Sequence, residues 1–373
     1  MKWGRRGWIR NAVVVTAVAA GLLAGCSSDS DDLDGSATAS FADRGPYAVG
    51  VTTLNMGDRD MEVFYPVDPD QTVGLDTASY ASFEVLPEAI KAILPPDLNI
   101  VVEIDGYRDV AVSDAGPFPV LTFSHGAGGF RHAYSGFLSG VASHGLVVAS
   151  LDHLEWGLLA QVGLLPEGVN RDPGEVVLSA LARLAAASAD ASSPLAGGVD
   201  VTRVTTSGHS AGGRAAFALP DRPEIRSMIG FATGGAGGVV TDKPILLLVG
   251  AEDGGAARLE EAYDGLSGPK RFVSVDAAGH NSFTDQCAII WGGNNFLDRL
   301  VESGFPIPQD LLALAIDGCR PTNIPPAEFW RVAQHFTVAH VRAALGLDPS
   351  PVGLGDAVVN DFGDVTVHYR QSP

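Results

Sequence analysis

Cysteine is scarce in this chain of 373 residues, with Cys26, Cys287 and Cys319 its three examples. That excludes a disulfide-dense scaffold and a four-cysteine zinc site. Positive charge is also scarce. There are 24 Lys and Arg against 44 Asp and Glu, a formal net charge of −20. Four of the basic residues, Lys2, Arg5, Arg6 and Arg10, precede residue 26, where no acid occurs, so the remainder is more acidic still. Such a surface repels phosphate backbones and argues against nucleic-acid binding. The longest uncharged stretch near the start, Asn11 to Gly25, falls short of the roughly 20 residues a membrane-spanning helix needs. What is abundant is apolar: 46% of residues are hydrophobic and 18% charged, enough to bury a large core and to exclude a mainly disordered chain.

The basic start followed by a short apolar run reads as an export signal over residues 1–25. Its end, Leu23-Ala24-Gly25-Cys26, resembles the lipobox of bacterial lipoproteins. The resemblance implies lipidation of Cys26 and a protein held at the outer face of the cell membrane, or released to the periplasm or exterior. Residues 26–45 are polar and acidic and read as a solvated tether. An exported chain meets oxidising conditions, so a Cys287–Cys319 bridge is expected, with two buried thiols as the alternative. It closes a loop of about 33 residues and contributes roughly 3–4 kcal/mol in the chain-entropy account.

From residue 46 to residue 346 strands and helices alternate without an internal repeat or a convincing linker. Val49–Thr53 and Met61–Tyr65 read as an opening pair of strands. Pro119–Ser124, Leu146–Leu151, Arg203–Ser207, Ser227–Phe231, Ile245–Val249 and Phe272–Val275 read as later ones. Helices are expected near Leu86–Leu94 and over Tyr134–Ser143, Glu175–Ala189, Arg214–Leu219 and Ala327–Leu345, the last capped by Gly346. Continuous apolar strands separated by helices predict an α/β fold, its mostly parallel central sheet carrying helices on both faces. Residues 347–373, rich in Gly, Pro and Asp, read as a loosely packed tail.

Gly208-His209-Ser210-Ala211-Gly212 has the form G-x-S-x-G between a strand and a helix-forming segment. That context is the strained turn which exposes a serine hydroxyl, so Ser210 is the expected nucleophile. A neutral serine needs a base oriented by a carboxylate. His280 is the base, as the sole histidine between Ser210 and His335. Asp253, just beyond the strand Ile245–Val249, is the preferred acid; Glu252, Asp242 and Asp276 are its rivals. The oxyanion that forms on attack needs preorganised donors. These are expected from the N–H of Ala211 and from the loop His125-Gly126-Ala127-Gly128-Gly129, with Ala127 preferred and Gly126 the alternative. His209 reads as support for the turn. His335 and His340 are five residues apart and do not form an i, i+4 metal pair, and no metal constellation is read.

Phe123–His153 (FSHGAGGFRHAYSGFLSGVASHGLVVASLDH) together with GHSAGG resembles the α/β-hydrolases. Within them it is similar to dienelactone-hydrolase-like, chlorophyllase-like and platelet-activating-factor-acetylhydrolase-like serine esterases, with cutinase-like enzymes nearby. The resemblance covers roughly residues 46–346 and implies two-step acyl transfer with no cofactor. It also implies that Ala127, after the H-G pair, donates to the oxyanion. Two departures matter. The acetylhydrolase branch places its acid after the strand that follows the serine turn, whereas here Ser227–Phe231 leads into Ala232-Thr-Gly-Gly-Ala-Gly-Gly. Dienelactone hydrolases proper use cysteine where this chain has Ser210. The expected activity is hydrolysis of a small or lipid-like carboxylic ester by a monomer. Amide hydrolysis, acyl transfer to another acceptor and non-catalytic binding in the cell envelope are the alternatives. Pocket walls are expected from residues 66–118, Leu154–Asn170 and the region between His280 and Pro325, with Trp156, Leu158, Leu159, Leu164 and Leu165 either lining an acyl site or lying in the core.

Overall fold

The computed structural model describes residues 38–372 apart from 85, 93, 162, 166, 294–295 and 305–308. The export signal and Cys26 lie outside the described residues. Twelve strands are described: β1 (Ala48–Asn55), β2 (Asp60–Val67), β3 (Ser79–Ala81), β4 (Val101–Glu103), β5 (Tyr107–Arg108) and β6 (Phe118–Ser124), then β7 (Val147–Leu151), β8 (Val199–His209), β9 (Ile225–Phe231), β10 (Ile245–Gly250), β11 (Lys270–Val275) and β12 (Val367–Ser372). Ten form one sheet in the order β12-β11-β10-β9-β8-β6-β7-β2-β1-β5, and β3 and β4 form a separate hairpin-like pair. From β7 through β6, β8, β9 and β10 to β11 every pairing is parallel. Antiparallel β2 and β12 flank that parallel block.

The parallel strands are those whose residues are apolar without alternation. Each residue of β6, β7 and β10 is buried, as expected for strands covered on both faces. The covering helices announce themselves locally. Pro173–Ala189 begins with Asp172, whose carboxylate accepts the N–H groups of Gly174 and Glu175, and with Pro173 in the first turn. It buries Val176, Val177, Ala180, Leu181, Leu184 and Ala187, a stripe at helical spacing. Pro326–Leu345 ends at Gly346 in the left-handed conformation, φ 61°.

Chain order reverses direction at β6. The chain passes from β6 to β7 on one side, then crosses back to β8 on the other. The loops leaving the C-terminal ends of β6 and β8 therefore diverge and leave a crevice, the place where open parallel sheets bind ligands.

Four sequence expectations differ from the structure. The helix expected over Arg214–Leu219 is confined to Gly213–Ala216, because Pro220 disfavours helical backbone at Leu219. Near Leu86–Leu94 the helix is the single turn Glu88–Lys91. Residues 347–372 are built into the fold, since β12 pairs with β11 along its whole length and Leu354, Val358 and Phe362 are buried. Residues 38–45, read as part of a tether, lie against the domain. Ala42 is buried, the Phe41 N–H donates to His335 Nδ1 and the Arg44 guanidinium donates to Ser139 Oγ. The apolar pair Phe41-Ala42 is the signal for this in an otherwise polar stretch. Among the described residues no helix is long and apolar enough to cross a membrane.

Candidate active site

Ser210 stands immediately beyond β8 with φ 52°, a left-handed conformation that a side chain seldom adopts. The flanking glycines make this turn feasible. A Cβ on Gly208 would overlap the Gly212 carbonyl, and one on Gly212 would overlap the Ser124 carbonyl. Strand, turn and the helix start are thus in backbone-to-backbone contact, which is the physical content of the G-x-S-x-G spacing. Ala211 is the second residue of the short 3-10 turn Ser210–Gly212, so its N–H faces outward from a helix start.

His280 follows β11 and Asp253 follows β10. The His280 ring Nδ1 lies 2.7 Å from Asp253 Oδ2, and both side chains are buried. Burial pushes the Asp253 carboxyl up, but the His280 hydrogen bond and charge outweigh it, and the net shift is downward. The other Asp253 oxygen accepts the Gly255 N–H at 2.6 Å. Glu252, its sequence rival, points elsewhere: its carboxylate accepts from the Asn323 amide at 2.7 Å. Asp276 is engaged by His368 at 2.9 Å. Ser210 and His280 share the lining of one pocket with Gly126 and Ala127.

The loop after β6 discriminates between its own amides. The Gly126 N–H donates to Tyr134 Oη at 3.2 Å, the Gly128 N–H to the Trp156 carbonyl at 2.8 Å, and the Gly129 N–H to the Gly126 carbonyl at 3.0 Å. Among the described residues the N–H of Ala127, which lies between them, makes no such bond, and Ala127 lines the pocket. The sequence preferred Ala127 over Gly126, and of the two the Gly126 N–H is the one engaged by Tyr134.

Residues 36–158 match the family model described as platelet-activating factor acetylhydrolase, isoform II. Over 119 residues the chain is 31% identical to a platelet-activating factor acetylhydrolase of Cavia porcellus, a stretch covering 29% of this chain and 27% of that protein. The chain thus matches about a quarter of that relative's length. A solved ferulic acid esterase from Streptomyces cinnamoneus superposes with a TM-score of 0.58 at 22% identity, over 87% of this chain and 96% of that one. The chain has the α/β-hydrolase fold. The low identity to the solved neighbour speaks to the fold alone. In space β9 runs into a glycine-rich turn, and the aspartate beside His280 follows β10.

In this fold the pocket beside Ser210 is a cavity of about 200 Å³. Its walls come from each of the three regions expected to supply them. Tyr80, Phe83, Leu86, Leu94 and Ile100 come from the first, Leu158 from the second, and Ile289, Ile290 and Leu314 from the third. Trp156 is instead packed beneath the glycine loop, its Nε1–H donating to the His125 carbonyl at 2.9 Å, and Leu164 is exposed. No Asp, Glu, Lys or Arg is among the described residues lining the pocket. The polar side chains there are turned to the protein. The Asn281 amide donates to the Leu314 carbonyl, the Gln286 amide to the Ala315 carbonyl, and the Tyr80 hydroxyl to Asp285.

The third wall is fastened twice. Cys287 and Cys319 form a disulfide with Cα atoms 4.7 Å apart, as expected. The Asn281 N–H also donates to the Asp317 carbonyl at 2.8 Å, directly beside His280. Two residues that sequence reasoning passed over are central. Asp285, five residues after His280, is fully buried. It accepts the N–H groups of Ser135 and Gly136 at the start of the helix Ser135–Ala142, as well as the Tyr80 hydroxyl. Burial pushes its carboxyl up to about 6 despite those donors. Tyr134 is the other, and no local pattern in Phe130-Arg-His-Ala-Tyr-Ser135 marks it.

Proposed function

We propose that this α/β-hydrolase cleaves neutral carboxylic esters with an apolar acyl group through an acyl-enzyme. The observation that carries this reading is the 2.7 Å His280–Asp253 hydrogen bond in the pocket that also holds Ser210 on its strained turn. Ser210 Oγ attacks the ester carbonyl while His280 takes its proton, and Asp253 fixes the imidazole and stabilises the cation that forms. The amides of Ala127 and Ala211 receive the developing oxyanion. His280 returns its proton to the departing alkoxide oxygen, and a water activated by His280 then releases the acid. The acetylhydrolase and ferulic acid esterase names of the similar proteins support ester chemistry. The uncharged lining supports an uncharged acyl group. The sequence of residues 1–26 supports an exported, lipid-anchored protein acting from the outer face of a membrane.

The test is hydrolysis of a p-nitrophenyl ester series from acetate to palmitate by the full chain, beside Ser210→Ala. Turnover by the wild type, lost in Ser210→Ala, is the expected result. Equal rates in the two proteins, or none on any ester, overturns the reading.

A further inference from the structure

We propose that Tyr134 and His209 act as a positioning relay that joins the oxyanion loop to the backbone of His280. The proposal rests on the Ser210 reading above. Three contacts define it. The Gly126 N–H donates to Tyr134 Oη at 3.2 Å, Tyr134 Oη lies 2.8 Å from His209 Nδ1, and His209 Nε2 lies 2.8 Å from the His280 carbonyl oxygen. Tyr134 and His209 are 2% and 1% exposed, so water does not compete for these groups.

One arrangement of protons satisfies the chain. A carbonyl oxygen only accepts, so His209 Nε2 carries its hydrogen toward His280. Burial, with His280 nearby, holds His209 neutral, its ring pushed down to about 3. Nδ1 is then a bare acceptor, and the Tyr134 hydroxyl must donate to it. That leaves the hydroxyl's lone pairs to receive the Gly126 N–H. Because Gly126 is engaged, and Gly128 and Gly129 are engaged elsewhere, the loop presents the Ala127 N–H to the pocket. The same chain ends on the residue whose imidazole moves the proton. Acceptance of the oxyanion and placement of the base are therefore held by one set of hydrogen bonds rather than by two independent loops.

Tyr134→Phe removes one oxygen and keeps the ring, which packs on Phe123 at 4.7 Å between centroids. In the full chain with p-nitrophenyl butyrate, kcat is expected to fall by about 10–100-fold, with KM within about threefold of wild type. The second readout is inhibition by butylboronic acid, in which Ser210 Oγ adds to boron. The hydroxyl proton passes to His280, and one boron-bound oxygen occupies the oxyanion position. Its inhibition constant is expected to rise by the same factor as kcat falls, which a change in general stability does not produce. His209→Ala is expected to show the same defect. His209→Asn, whose carboxamide reaches the Nδ1 position, should recover at least about fivefold of the lost kcat. The relay is overturned if Tyr134→Phe stays within about threefold in both kcat and boronate inhibition, or if kcat falls while inhibition is unchanged. Should Tyr134→Phe fail to fold, the His209 pair decides, and equal rates in Asn and Ala overturn the proposal. Ser210→Ala separates the two readings. If it is inactive while Tyr134→Phe matches wild type, the relay alone fails; if it hydrolyses the ester at the wild-type rate, the serine mechanism fails first.

Discussion

Ser124 on β6 and Gly208 on β8 are register partners across a parallel pairing. The loop containing Ala127 starts one residue after the first, and Ser210 comes two residues after the second. A backbone ladder thus sets the spacing between Ser210 and the loop that holds Ala127. Both segments line the pocket beside Ser210.

The glycine contacts at this crossing are expected to be intolerant of a methyl group. Gly212→Ala drives a Cβ into the Ser124 carbonyl, and it should lower stability by about 3 kcal/mol or more in urea unfolding, or prevent folding. Gly234→Ala, where a Cβ meets nothing within 4 Å, is the control and should stay within about 1 kcal/mol of wild type.

Asp253 and Glu252 are adjacent in sequence and differ in partner, so they separate cleanly. Asp253→Asn is expected to cut ester kcat by about 10²–10⁴, because His280 Nδ1 then faces an amide and loses its preferred tautomer. Glu252→Gln, whose carboxylate serves Asn323, should stay within about threefold. Initial rates on p-nitrophenyl butyrate decide it, and comparable losses in both variants would reassign the acid.

Buried Asp285 carries a pH signature. Its native carboxyl is pushed up to about 6, above the ordinary carboxylate value of an unfolded chain. The native state therefore binds the extra proton between those values, and this group's contribution to stability falls as pH rises from about 4 to about 6, then levels. Relative to Asp285→Asn, the wild type should lose about 1–3 kcal/mol across that interval. Denaturant unfolding at pH 4.5 and 7.5 measures the difference, and a parallel response in both proteins would contradict it.

The disulfide bounds a wall of the pocket, so its removal should affect selectivity as well as stability. A Cys287→Ser, Cys319→Ser double variant is expected to lose about 2–4 kcal/mol. It should also discriminate less between butyrate and decanoate esters, because Ile289, Ile290 and Leu314 lie within or beside the released loop. The ratio of kcat/KM values for the two esters reads this out, and an unchanged ratio would place acyl selection on the Phe83 and Leu86 side.

The sheet was legible because its strands are covered on both faces and so are written as unbroken apolar runs; Ile245–Gly250 is the clearest case. The residues brought together at the pocket were legible from their positions just past strand ends. Three features were not. The edge strand Val367–Ser372 reads VHYRQS, mostly polar, since much of it faces solvent. The helix after Ser210 looked longer than it is because Ala and Leu continue to the proline. Tyr134 and Asp285 act through partners distant in sequence, Asp285 reaching back 150 residues to Ser135, and no local pattern encodes such a contact.

The uncharged lining of the pocket has a consequence for the end of the catalytic cycle. The ester hydrolysis proposed above turns a neutral guest into an anion. Among the described lining residues there is no lysine or arginine to hold that anion, and the carboxylate of Asp253 sits just behind His280. On the proposed reaction the product acid is held more weakly than the substrate that delivered it, and electrostatics and hydration favour its release.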